Sequence, residues 1–148
     1  MAKRRDRLAA LTAALTIAGL LTAAPAQAAK LTVRNFNSPS GNIGCEIDGD
    51  GVDMAVHCYI KEFTYAVPAN LGPCSYGLRG PEVSLSVGGR PTFDCVLSLH
   101  DYQGFTLLYG SSTSVGPFDC ASAADGIRCV DTTTNHGFRV AQESYDFF

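Results

Sequence analysis

Six cysteines, Cys45, Cys58, Cys74, Cys95, Cys120 and Cys129, are the residues of this 148-residue chain with the most restricted chemistry. Thiols either pair as disulfides or, as thiolates, hold a metal ion. No C-x-x-C knuckle occurs here, and thiolate zinc sites suit reducing compartments. Disulfides are therefore expected, with no metal and no cofactor.

Nucleophilic chemistry would need a serine, a base and an orienting acid within hydrogen-bond reach. Ser40, in Pro39-Ser40-Gly41-Asn42, is the candidate nucleophile, with His136 as base and Asp94, Asp101 or Asp131 as orienter. The competing reading of Ser40 is turn chemistry, because Pro fixes φ, Gly and Asn accept positive φ, and Ser and Asn bond nearby backbone. His136-Gly137-Phe138 also reads in two ways. It is either a site or a turn support, in which a ring N–H donates to a carbonyl, Gly137 gives room and Phe138 enters the core. A glycosidase would use two facing carboxylates. Asp48, Asp50 and Asp53 are close in sequence, but they surround a hairpin tip and solvate it. As calcium ligands they lack the alternation and terminal Glu of an EF-hand loop. His57 falls on an outward strand position, which reads as a solvated histidine, and in the enzyme reading His100 stands beside His136 as a histidine that Ser40 or paired carboxylates could meet in a cleft.

These residues must be positioned by strands. Ile43, Cys45 and Ile47 alternate with Gly44, Glu46 and Asp48; Met54, Val56, Cys58 and Ile60 alternate with Ala55, His57 and Tyr59. Each strand thus has one apolar face containing a cysteine. Setting Cys45 opposite Cys58 pairs Ile43 with Ile60 and Ile47 with Val56, around a Gly49-Asp50-Gly51-Val52 tip. A slip of one residue would turn every apolar side chain to water. Directly opposed residues of a non-hydrogen-bonded pair lie about 4.5 Å apart at Cα, within disulfide reach.

By the same reasoning, Cys120 opposite Cys129 brings Phe118 against Asp131 and Ser122 against Ile127, around Ala123-Ala124-Asp125-Gly126. Between the two hairpins, Val83, Leu85 and Val87 form an apolar face. A Gly88-Gly89-Arg90 connection sets Leu85 against Phe93 and Val83 against Cys95, which turns Cys95 inward toward Cys74. The expected connectivity is Cys45–Cys58, Cys74–Cys95 and Cys120–Cys129, one of many that six cysteines allow. The expected fold is all-β, a small sandwich or partly closed barrel of short antiparallel hairpins pinned by these disulfides. Phe138, Val140, Tyr145 and Phe148 dock the tail as a last strand and a short helical turn.

At the N-terminus, Lys3, Arg4, Arg5 and Arg7 precede an uncharged run from Leu8 to Leu21, then Pro25 and the small-residue site Ala26-Gln27-Ala28. These are the parts of a signal peptide over residues 1–28. The run is shorter than the roughly 20 apolar residues a membrane span requires. Removing 28 of 148 residues leaves 120, a single domain over residues 29–148. Taking four bases and one acid from the totals of 11 and 14 leaves seven and 13, a net charge near −6. Nucleic acid is thereby disfavoured as a partner, since binding it needs a basic surface. An outer-membrane barrel is not expected either, because its strands need about 9–11 residues with a lipid-facing row.

Phe36-Asn37-Ser38-Pro39-Ser40-Gly41-Asn42-Ile43-Gly44-Cys45 resembles the F-x-S-P-S-G-N-I-G-C opening of a family of small secreted actinobacterial proteins of unknown function. Leu108-Tyr109-Gly110, Gly116 with Cys120, Gly126 with Cys129, and the closing His136-Gly137-Phe138 with Tyr145 and Phe148 agree in order. The resemblance spans nearly all of residues 34–148; the chain departs from it at Ala141-Gln142, where relatives often carry Ser-Arg. It implies export and a compact fold, and assigns no activity. Two functional classes follow from the residues. The first is a non-catalytic binding module, an inhibitor of a secreted hydrolase among its forms, meeting an extracellular or cell-envelope partner. Its surface would be the Gly49-Asp50-Gly51 tip, the Ser38 to Asn42 turn and exposed Tyr59, Tyr65 and Tyr102. The second is a small secreted hydrolase using Ser40 with His136, or a carboxylate pair.

Overall fold

Period-two alternation resolves into eleven strands in two sheets, with no helix among the described residues, which are 32–68, 81–95 and 103–148 of a computed structural model. The first sheet holds β1 (Thr32–Asn37), β2 (Ile43–Gly49), β3 (Ala55–Ile60), β4 (Pro81–Ser86), β5 (Thr92–Cys95) and β6 (Phe105–Thr106), in the spatial order β5-β4-β3-β2-β1-β6. The second holds β7 (Ser112–Val115), β8 (Phe118–Ala123), β9 (Gly126–Asp131), β10 (Gly137–Val140) and β11 (Tyr145–Phe147), in the order β11-β10-β9-β8-β7. Each sheet is a meander of antiparallel neighbours. The exception is β6, which returns beside β1 in parallel.

The sheets pack as a sandwich about one core. Phe36, Ile47, Val56, Ile60, Val83 and Leu85 come from the first sheet, and Phe118, Ile127, Phe138 and Val140 from the second, all fully buried. Each such phenylalanine contributes about 1.5–3 kcal/mol through the apolar surface it removes from water. The β2–β3 and β8–β9 hairpins both have the register that their alternation demands. Cys45 faces Cys58 and Cys120 faces Cys129, each pair 4.1 Å apart at Cα and disulfide-bonded on the core side of its sheet. Cys95 is disulfide-bonded as well. Its expected partner Cys74 lies outside the described residues, as do the proposed signal peptide, His100, Asp101 and Tyr102.

Two expectations need correction. In the β4–β5 hairpin Val83 faces Phe93 and Pro81 faces Cys95, a shift of one two-residue repeat from the register read in the sequence. The faces are unchanged because strand periodicity is two. The register centres the turn on Gly88, whose N–H bonds the Asp131 carboxylate at 2.7 Å, while Gly89 N–H closes the turn on Ser86 O at 2.9 Å and Val87 N–H continues the β3–β4 ladder to Met54 O at 3.0 Å. Pro91 has no N–H to offer a ladder.

The tail, second, makes no helical turn. Ala141 N–H reaches Ser144 O at 2.9 Å and the chain returns as β11, with Phe138 facing Phe147 and Val140 facing Tyr145. This pairing satisfies backbone groups that an unpaired β10 edge would leave open. It also delivers Tyr145 and Phe147 to a ring cluster with Phe93, Tyr65 and Phe63, whose neighbouring centroids are 4.7–6.4 Å apart. That cluster closes the β5/β11 side of the sandwich. On the other side Arg34 of β1 reaches Thr113 Oγ1 of β7 at 3.5 Å.

Candidate functional site

The strand registers divide the candidate residues between two ends of the sandwich. Ile43 faces Ile60 at one end of the first sheet, whereas Asp48 faces Ala55, and Ala55 faces Ser86, at the other. The Ser38 to Asn42 turn therefore lies at the first end. The Gly49-Asp50-Gly51 tip and the β4–β5 connection lie at the second.

At the first end Ser38, Ser40, Gly41 and Asn42 all have local work to do. Ser38 N–H donates to Ile43 O at 2.8 Å and Gly41 N–H to Ser38 O at 2.9 Å, which closes the turn. Gly41 holds φ at 69°, a conformation that favours glycine. Ser38 Oγ accepts from Ile43 N–H at 3.1 Å, Ser40 Oγ accepts from Asn42 N–H at 3.3 Å, and the two hydroxyls lie 3.0 Å apart. Asn42 uses both ends of its amide on Glu62, Nδ2 donating to the carbonyl at 2.9 Å and Oδ1 accepting from the N–H at 2.8 Å. The turn is thereby fastened to the chain leaving β3.

Two clefts flank this turn and share Ser38 and Ser40. One, of about 380 Å³, opens toward β6 and reaches Lys61, Gln103 and Thr106. The other, of about 190 Å³, lies between the turn and the second sheet, against Tyr109, Ala124 and Gln142. Leu108 and Tyr109 stand beside them, 62% and 51% exposed. Their turn is fixed by Ser111 N–H to Leu108 O at 2.9 Å and Gly110 N–H to Ser122 O at 2.7 Å, with Gly110 at φ 79°.

The second end is a locked loop cluster. Asp131, fully buried at the end of β9, accepts from Gly88 N–H at 2.7 Å, Thr133 N–H at 2.8 Å and Thr133 Oγ1 at 2.6 Å. Burial pushes its carboxyl up, and the bonds from Thr133, Gly88 and Thr134 more than offset this, holding it below the usual carboxylate range. His136 Nδ1–H donates to Gly89 O at 2.7 Å, Gly137 packs on Cys129 O, and Phe138 is fully buried. These are the contacts of a turn support. Ser40 and His136 are accordingly separated by the length of β2, on the order of 20 Å at strand rise. Asp94 bonds Ser84 and Thr92, and Asp131 faces backbone and threonine, so neither orients His136. Asp50 and Asp53 are exposed at the tip.

The tyrosines also differ from expectation. Tyr59 is buried, because its outward position lies under the walls of the larger cleft, and Tyr65 is half-buried in the ring cluster. The Tyr65 hydroxyl is buried and has no hydrogen-bond partner among the described residues. Burial, with a smaller contribution from Tyr145, pushes its ionisation up to about 12. His57 is not simply solvated. Its Nδ1 lies 3.0 Å from Glu82 Oε1 and its Nε2 3.7 Å from Asp48 Oδ1. The Glu82 hydrogen bond raises its pKa, burial opposes this, and the charges of Glu82, Asp48 and Glu46 add to the rise. Among the described residues no group of three or more His, Cys, Asp or Glu is placed to hold a metal ion, and no helix is long and apolar enough to cross a membrane.

Sequence reasoning missed Tyr109 and Leu108 as the exposed apolar pair and Asp131 as a lock. Asp131 had a signal: an acid in an inward strand position, followed two residues later by Thr133, fits a side-chain-to-backbone turn. Tyr109 followed by Gly110 likewise marks a tight turn that presents its ring. No protein-family model matches this chain, and no curated protein or solved structure matches it either.

Proposed function

We propose that this protein is an exported, non-catalytic binding module that meets an extracellular or cell-envelope partner with its turn end. The observation that carries the reading is the exposed Leu108–Tyr109 pair, held by a two-bond turn beside two clefts. A ring and an aliphatic side chain presented on a backbone turn that is already fixed leave little backbone entropy to lose when a partner covers them, so they act as anchors. The disulfide-pinned hairpins and the signal-like residues 1–28 fit an oxidising compartment. Inhibition of a secreted hydrolase is one form such binding takes.

The test uses oxidised protein lacking residues 1–28, immobilised and exposed to the producer's culture fluid and envelope fraction. A stoichiometric partner retained by the wild type and lost by the double variant Leu108→Ser, Tyr109→Ala, with an unchanged melting temperature, is the expected result. Equal retention by the variant contradicts the reading. So does hydrolysis of a chromogenic ester or glycoside panel that disappears in Ser40→Ala.

A further inference from the structure

We propose that the larger cleft, between the Ser38 to Asn42 turn and β6, is a subsite for an acidic sugar: a polyhydroxylated ring carrying one carboxylate. The proposal rests on the reading of the turn end as the binding end, and names the ligand chemistry there. The concavity is built by a missing side chain. Gly44 sits in the outward row between Asn37 and Tyr59, so no Cβ fills the floor between their flanking side chains. The far wall is close because Gly104 lies directly on the β1 backbone, where any Cβ would collide with Asn35.

The lining sets the ligand's character. Lys61 is the one cation among the described residues that line the cleft; it makes no ion pair among them, and its own backbone N–H is tied to Asn42 O at 2.9 Å. Among the described residues no aspartate or glutamate lines the cleft, in a chain whose net charge is −3. One ammonium complements one carboxylate, whereas a phosphate would bring a second charge with no partner. The remaining polar side chains are hydroxyls and amides, including Ser40, Thr106 and Gln103, and at about 380 Å³ the space exceeds a bare carboxylate and admits a sugar ring. Ser40 adds a directional element. Ser38 Oγ already accepts from Ile43 N–H, so its own hydrogen can go to Ser40 Oγ. With that polarity the Ser40 O–H is left over as a donor for ligand.

The experiment is an amide NMR titration of the oxidised protein at low ionic strength with glucuronate, glucose and sodium acetate, and with a short oligomer of a uronic acid. Glucuronate should shift Ser40, Gly44, Lys61 and Thr106 saturably, with glucose at least tenfold weaker. Lys61→Gln, with an unchanged melting temperature, should abolish that preference. A tighter fit of the oligomer would assign the subsite to a polysaccharide, and equal affinity to a free sugar acid; both support it. Acetate binding as tightly as glucuronate, shifts unaffected by Lys61→Gln, or no shifts at the cleft would overturn it. If the titration fails while Leu108 and Tyr109 are still needed for partner retention, only the ligand assignment falls.

Discussion

Asp131 carries its charge at full burial, and it does so because donors from two connections converge on it. Replacing it by asparagine keeps the shape but removes the charge and misdirects one donor. At neutral pH this should cost about 1.5–3 kcal/mol, read from urea unfolding. Its folded pKa is depressed, so its stabilisation is present above the unfolded value of about 3.9 and lost as pH falls through the folded value. Wild-type stability should fall across that acid window more steeply than that of Asp131→Asn. His57 has the opposite sign: its pKa is raised, so its contribution is full below about pH 6.5 and disappears as pH rises through the folded value. Glu82→Gln should lower the His57 titration midpoint measured by NMR, since the largest cause of the rise is then gone. An unmoved midpoint would contradict the assigned pair. At this scale the sequence was only partly legible. The turn roles of Ser40 and His136 could be weighed from their neighbours, but the Glu82 partner of His57 comes from a strand whose pairing with β3 no local signal announced.

The hairpins carrying Cys45–Cys58 and Cys120–Cys129 were readable to the residue, because in each one alternation and one crosslink demand the same register. The β4–β5 hairpin was not, since its tip is held by the Gly88 N–H bond to Asp131, a contact made across the molecule. The tail was misread for a related reason: its strand state is decided by pairing with β10 and by the rings it meets, not by local propensity. These elements make their own predictions. Replacing Cys45 and Cys58 together by alanine should cost about 3 kcal/mol by releasing loop entropy to the unfolded chain, for a sequence separation of 13. Gly126 is at φ 125°, and a Cβ there would collide with Val140 O. Gly126→Ala should therefore destabilise by more than the alanine variant of Gly51, where φ is also positive but nothing lies within 4 Å. Comparable melting temperatures for the two would contradict the packing of β10 over that tip.

Across the whole molecule the two ends divide the labour. At one, Asp131, His136 and the β4–β5 connection spend their polar groups on each other. At the other, the Ser38 to Asn42 turn is equally well bonded but leaves two clefts and two apolar side chains open. The sandwich was foreseeable from alternation and cysteine placement. Which end stays open was not, because it depends on how loops of different sheets meet. The central claim is that the open end binds, and hydrogen-exchange footprinting of the oxidised protein, with and without the producer's envelope fraction, tests it most directly. Protection is predicted at residues 38–42 and 108–111, with residues 49–53 and 87–91 unchanged; protection confined to the latter two segments would contradict the account.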